Sequence, residues 1–138
     1  MNTSSPRADS PAFDSVHFRQ ALSQFATGVT VITTRLADGT FRGLTASSFN
    51  SVSLDPPLVL WSLTSKASSM PVFSGNSHYV INILAADQAH LAKLFSTRSE
   101  DPFSQVEFEL SRTGHPVLRA APPGSNATTA AATRKATT

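Results

Sequence analysis

Apolar and polar positions change their spacing several times along the chain, and each change predicts an element. Val16, Phe18, Leu22, Phe25 and Ala26 recur near helical spacing. Asp14 or Ser15 can cap this helix, and Gly28 supplies its stop. Val29-Thr30-Val31-Ile32-Thr33-Thr34 is β-branched throughout, and restricted χ1 angles steer such a run toward a strand. Ala37-Asp38-Gly39-Thr40 reads as a turn with glycine placed for positive φ. The chain returns from Phe41 to Leu44, so residues 29–44 predict a hairpin.

Residues 45–54 are small and hydroxylated, with Phe49 and Val52 as larger members, and Asp55-Pro56-Pro57 breaks the run. Leu58-Val59-Leu60-Trp61-Ser62-Leu63 is nearly continuous in apolar residues and predicts a strand buried on both faces. After a polar loop at residues 64–69, Pro71-Val72-Phe73 begins a short helix that Gly75-Asn76 stops. His78-Tyr79-Val80-Ile81-Asn82-Ile83-Leu84 is a further strand. Asp87 is placed to cap a helix bearing Leu91, Leu94 and Phe95, and residues 107–110 alternate like an edge strand. Strands dominate and no repeat is present, so the expected class is mainly β with short helices, closed as a barrel.

The 138 residues suit one domain with a core. A net charge of +2 with no basic stripe and no interleaved aromatics argues against nucleic acid. Cysteine is absent, which removes disulfides, zinc–thiolate sites and thiol nucleophiles. No run approaches the ~18 apolar residues of a membrane span, and residues 1–11 lack the apolar stretch of a signal peptide, so a cytoplasmic setting is expected. His17, His78, His90 and His115 lack metal-ligand spacing, and no nucleophile–base motif stands out, so neither a metal nor a catalytic side chain is assigned.

Two polar clusters and one buried amide are the candidates for chemistry. Thr45-Ala46-Ser47-Ser48 offers small side chains that let backbone N–H groups approach a ligand, and hydroxyls that add hydrogen bonds. Ser62, Thr64, Ser65, Lys66, Ser68 and Ser69 follow a strand and add one cation. Composition alone reads both as ordinary solvated loops. Asn82 lies inside an apolar strand, where its amide must find partners, either a ligand or neighbouring backbone.

The stretch Gly43-Leu44-Thr45-Ala46-Ser47-Ser48-Phe49-Asn50-Ser51-Val52-Ser53-Leu54-Asp55-Pro56-Pro57-Leu58-Val59 resembles the central signature of the flavin reductase-like family. Phe25-Ala26-Thr27-Gly28-Val29-Thr30-Val31-Ile32-Thr33 resembles that family's opening, and Asn82-Ile83-Leu84 and Phe95-Ser96 fall at the expected places. The likeness runs over residues 16–118. It implies a Greek-key split barrel that binds FMN or FAD, takes hydride from NAD(P)H, forms a homodimer and supplies reduced flavin to a partner monooxygenase. It further implies cofactor contacts from Thr45, Ala46, Ser47, Ser48, Ser62, Leu63, Ser65, Lys66, Ser68, Asn82, Ile83 and Leu84, with the phosphate end near Lys66. The flavin would carry the redox chemistry, and the protein would hold two rings in register.

Three segments are expected: a disordered arm over residues 1–12, the flavin reductase-like portion over residues 13–118, and a low-complexity tail over residues 119–138. From Ala120 the chain has 19 residues, of which 12 are Ala or Thr, so the tail is expected to supply no barrel strand and to leave the barrel incomplete. Read one nucleotide earlier, codons for Ser125-Asn126-Ala127 can encode Phe-Glu-Cys. Those for Lys135 to Thr138 can encode Gly-Asp-His, two motifs that the resemblance places in this region. The tail is therefore expected to be that region in a shifted frame, which sequencing the gene decides. Open edges would bring aggregation and weak reductase activity, the alternative being a non-catalytic flavin-binding fragment.

Overall fold

The computed structural model describes residues 14–24, 28–98, 100–119 and 128–132. The expected N-terminal arm, Phe25 and Ala26 of the helical pattern, and most of the tail lie outside these residues. Helix α1 spans Ser15–Ser23. The strands are β1 Thr30–Arg35, β2 Phe41–Ala46, β3 Asn50–Leu54, β4 Pro57–Leu60, β5 Tyr79–Ile83, β6 Phe108–Leu110, β7 Pro116–Leu118 and β8 Thr128–Ala132. Between β4 and β5 lies α2 (Met70–Gly75), and between β5 and β6 lies α3 (Ala89–Ser96). The class is mainly β with short helices, as the patterning predicts.

β1 is the central element because its residues suit burial on both faces. It pairs antiparallel with β2 on one side and with β5 on the other, and β8 completes the order β2-β1-β5-β8. Val31 and Ile32 point to opposite faces and head two cores. Val31 joins Leu91, Phe95, Phe103 and Leu118. Ile32 joins Ala46, Phe73, Tyr79 and Ile81. The threonines of this buried strand each find an acceptor: Thr30 Oγ1 donates to the Ala46 carbonyl at 2.7 Å, Thr33 to Pro116 at 2.5 Å and Thr34 to His78 at 2.7 Å. Buried hydroxyls without such partners would be strongly unfavourable. With them, the β-branched run also links three separate segments to one strand.

Several expectations change. Asp14 does cap α1, accepting from the Val16 N–H at 2.9 Å, but the helix ends at Ser23 and its apolar residues Val16, Phe18 and Leu22 are exposed. The run at residues 58–63 forms a strand only to Leu60. It is not buried on both faces: among the described residues β4 pairs only with β3, and Leu58 and Leu60 are exposed. A two-stranded ribbon has no second layer over it, so an apolar sequence does not guarantee burial. Asp87 does not cap α3. The buried Gln88 fixes that end instead, accepting from the Ala85 N–H at 2.9 Å and donating to the Arg119 carbonyl at 3.3 Å.

The tail also departs from expectation, since residues 128–132 run antiparallel to β5, from Tyr79↔Ala132 to Ile83↔Thr128. Strand pairing is backbone chemistry, so a segment without large side chains still meets the hydrogen-bonding row that β5 presents. The turns behave as their glycines predict. Gly39 has φ 87° and Gly114 φ 78°, and the Arg35 side chain lies over both, tying the β1–β2 turn to the β6–β7 turn.

Beside that guanidinium, the rings of His78 and His115 stack with centroids 5.9 Å apart. Burial, then the proximity of His78 and of Arg35, holds the His115 imidazolium below its usual range. The folded state therefore binds this proton less readily than the unfolded chain. The stabilising contribution is complete above the unfolded value of ~6.5 and is lost as pH falls below it toward the depressed folded value. Urea unfolding between about pH 7.5 and 5 is expected to show falling stability. His115→Asn is expected to flatten that slope, whereas an unchanged slope in the variant would remove His115 as its source.

Candidate functional site

An open groove of about 810 Å³ runs along β2. Its floor is Arg42, Gly43, Leu44 and Thr45 of β2 with Phe73 and Phe95. One wall is Leu63 with the turn Lys66-Ala67-Ser68-Ser69, and the other is Ser96-Thr97-Arg98 at the end of α3. Local chemistry places each part. A 3.0 Å hydrogen bond from the Ala67 N–H to the Thr64 carbonyl turns the chain so that residues 66–69 reach the groove. Ser69 and Pro71 then start α2. α3 carries Leu91 and Phe95 into the core, which leaves its last turn at the rim.

Three cations, Arg42, Lys66 and Arg98, line this groove with no carboxylate among its lining residues. Among the described residues none of the three is in an ion pair; the one pair within range joins Asp14 and His17 on α1. Arg42 does act on Asp38, whose carboxyl is held below its usual range chiefly by the Thr40 hydroxyl and N–H and in part by Arg42. A groove lined by cations in no ion pair among the described residues, with hydroxyls and an aromatic floor, suits a planar ligand bearing phosphate.

The residues expected to bind a cofactor divide into three sets. Thr45, Leu63, Lys66 and Ser68 converge on the groove. Thr45 and Ala46 end β2 rather than forming a turn, and the Thr45 hydroxyl donates to the Ala92 carbonyl at 2.5 Å. Ser47, Ser48, Ser62 and Ser65 are exposed but do not line the groove. Ser48 and Ser62 clasp each other, the Ser48 hydroxyl donating to the Ser62 carbonyl at 3.2 Å and accepting from its N–H at 2.9 Å. This staples the bend after β2 to the exit of β4.

Asn82, Ile83 and Leu84 lie on or just after β5, away from the groove. Of the two kinds of partner open to Asn82, the structure shows neighbouring groups of the protein. Asn82 Nδ2 donates to the Val31 carbonyl at 2.9 Å and to Thr33 Oγ1 at 3.1 Å, and its Oδ1 accepts from the Leu118 N–H at 2.9 Å. The amide is a core tie between β1, β5 and β7, with both donors engaged inside the protein. Sequence reasoning missed Arg42 and Arg98. Phe95-Ser96 marked the vicinity of Arg98, but a lone arginine on an outward strand position or after a helix looks like ordinary surface.

The fold and this groove define a small, mainly β protein of the split-barrel kind with an open cationic groove along β2 of its central sheet. The flavin reductase like domain matches residues 22–132, and the chain belongs to that family. It is 46% identical over 101 residues to FMN reductase (NADH) SmoA of Agrobacterium fabrum, covering 73% of this chain and 57% of that protein. It is 44% identical over 100 residues to the reductase component of the flavin-dependent trigonelline monooxygenase of Acinetobacter baylyi, covering 72% of this chain and 32% of that one. Among solved structures, the NADH:FAD oxidoreductase SgcE6 of Streptomyces globisporus superposes with TM-score 0.71 at 34% identity, covering 81% of this chain and 65% of that one. The chain thus spans about half, or less, of the length of these two curated relatives.

Proposed function

We propose that this chain is the flavin-holding portion of an NAD(P)H-dependent flavin reductase that supplies reduced FMN or FAD to a partner monooxygenase. The observation that carries the reading is the cationic groove over β2, its cations in no ion pair among the described residues, in a member of this family. The groove fits a flavin: its volume lies in the ~300–1,000 Å³ range of small-molecule sites. Lys66 and Arg98 on facing walls would hold phosphate, Ser68 and Thr97 would add hydrogen bonds, and Leu63, Val72 and Phe95 would exclude water from the ring. A bound flavin supplies the hydride acceptor; the side chains here bind and orient it. SmoA and SgcE6 are named for NADH, and the trigonelline protein for its monooxygenase.

A homodimer belongs to the same reading. Val52, Leu54, Leu58 and Leu60 expose apolar surface on the β3–β4 ribbon, Leu54 to 92%, and a second copy of that surface would cover it. A cytoplasmic location is part of it too, and among the described residues no helix is long and apolar enough to cross a membrane. The reading of the tail as a shifted frame is likewise a proposal.

Flavin titration of the purified chain followed by protein and flavin fluorescence tests the function, with gel filtration of the same preparation. Saturable binding together with NADH consumption on adding FMN or FAD is the expected result. Binding without NADH consumption would leave the non-catalytic fragment, and no binding would end the flavin reading.

A further inference from the structure

The groove's two walls come from different parts of the chain and pack on opposite faces of β2. α3 meets β2 at Gly43 and Thr45, alternate residues on one face. At Thr45 the hydroxyl holds the Ala92 carbonyl at 2.5 Å. At Gly43 the Phe95 ring lies against bare backbone: a Cβ built there would stand 2.7 Å from Cδ1 and 2.8 Å from Cε1, with Thr33 Cγ2 at 3.4 Å. The ring cannot simply retreat, because Phe103 packs edge-on against it with centroids 5.2 Å apart. Ser96, Thr97 and Arg98 follow Phe95 directly and form the wall opposite Lys66-Ala67-Ser68-Ser69.

We infer that Gly43 is a positioning residue for flavin binding. By letting Phe95 seat flat on β2, it sets the gap between the Arg98 wall and the Lys66 wall, and so the reach of Arg98 to the ligand's phosphate. The inference rests on the flavin reading of the groove. Any side chain at residue 43 lifts Phe95 and carries the end of α3 outward. The phosphate contact then weakens more than the ring contacts, because Leu63, Val72 and Phe73 still face the ring and only Phe95 shifts. Displacements of about 1 Å in binding machinery have effects on the order of tenfold to a hundredfold.

The test compares FMN with riboflavin, which lacks the phosphate, in Gly43→Ala and in Gly43→Ala/Phe95→Leu, where the smaller side chain relieves the clash. Gly43→Ala is expected to weaken FMN about tenfold and riboflavin by less than about twofold, and Phe95→Leu is expected to restore FMN in that background. Equal losses for both flavins, or no rescue in a folded double variant, would overturn the inference, since general loosening of the domain affects both ligands alike. Should Gly43→Ala not fold, Thr45→Val, which releases the other anchor, is expected to show the same selective loss, and unchanged FMN binding there would overturn it.

A crystal structure of Gly43→Ala without flavin provides a readout independent of the ligand. α3 is expected displaced from β2, and an unmoved α3 with only a new Phe95 rotamer would contradict the inference. If the unaltered chain binds neither flavin, the flavin reading itself fails, and the position of α3 in that crystal still decides the structural part.

Discussion

Charge reversal on both walls of the groove, Lys66→Glu with Arg98→Glu, is expected to weaken FMN binding by roughly a hundredfold while riboflavin affinity changes by less than about threefold. Hydrogen bonds to charged groups contribute ~1.5–3 kcal/mol each when made, and partial solvent exposure in an open groove places these at the lower end. Two such contacts at ~1.4 kcal/mol per tenfold give the stated size. Both side chains stand on surface segments, so the double variant should melt near the parent temperature. The same electrostatics predicts that FMN affinity falls with salt and that riboflavin affinity does not. Fluorescence titration of the two flavins at low and high salt measures all four quantities. A variant that loses riboflavin and FMN together would show that the cations do not face the phosphate.

Asn82→Leu is expected to destabilise the fold severely and to leave the ligand groove alone. The substitution keeps the branched four-atom outline, in a bulkier form, but removes the acceptor of the Leu118 N–H and the donors to Val31 and Thr33. Leaving a buried donor unsatisfied is unfavourable by ~1–3 kcal/mol, and three lost bonds in one tie put the total near the upper end. For a domain of this size the melting temperature is expected to drop by about 10 °C. Below that transition, flavin affinity should stay within about threefold of the parent, since the amide lies off the groove. Thermal melts and flavin titration at low temperature check both parts. A variant that melts normally but binds flavin poorly would return Asn82 to the cofactor.

These two expectations differ because the residues proposed for cofactor contact are of two structural kinds. Asn82 and Lys66 were both candidates for cofactor contact, yet one amide is enclosed by three backbone and hydroxyl partners and the other side chain stands in an open groove. Ser48 and Ser62 belong with Asn82 in this respect. Their hydroxyl and backbone groups hold one loop to another, and a Ser-rich segment advertises both uses equally.

What the chain determined on its own is local. The β-branched run at residues 30–34 could only be a strand, Gly39 could only mark its turn, and the apolar spacing of Leu91, Leu94 and Phe95 could only face a core, because χ1 restriction, positive φ and helical period act within a few residues. The order of small hydroxylated residues after the first hairpin was specific enough to carry the family.

Tertiary structure alone decided which residues meet. Arg42, Lys66 and Arg98 are separated by 24 and 32 positions in sequence, and nothing in the neighbourhood of any one reveals the other two. The exposure of Leu58 and Leu60 follows from β4 having β3 as its sole strand neighbour among the described residues. The strand at residues 128–132 exists because β5 presents an edge for it. Burial, pairing and convergence are properties of distant partners, and a chain's local preferences do not contain them.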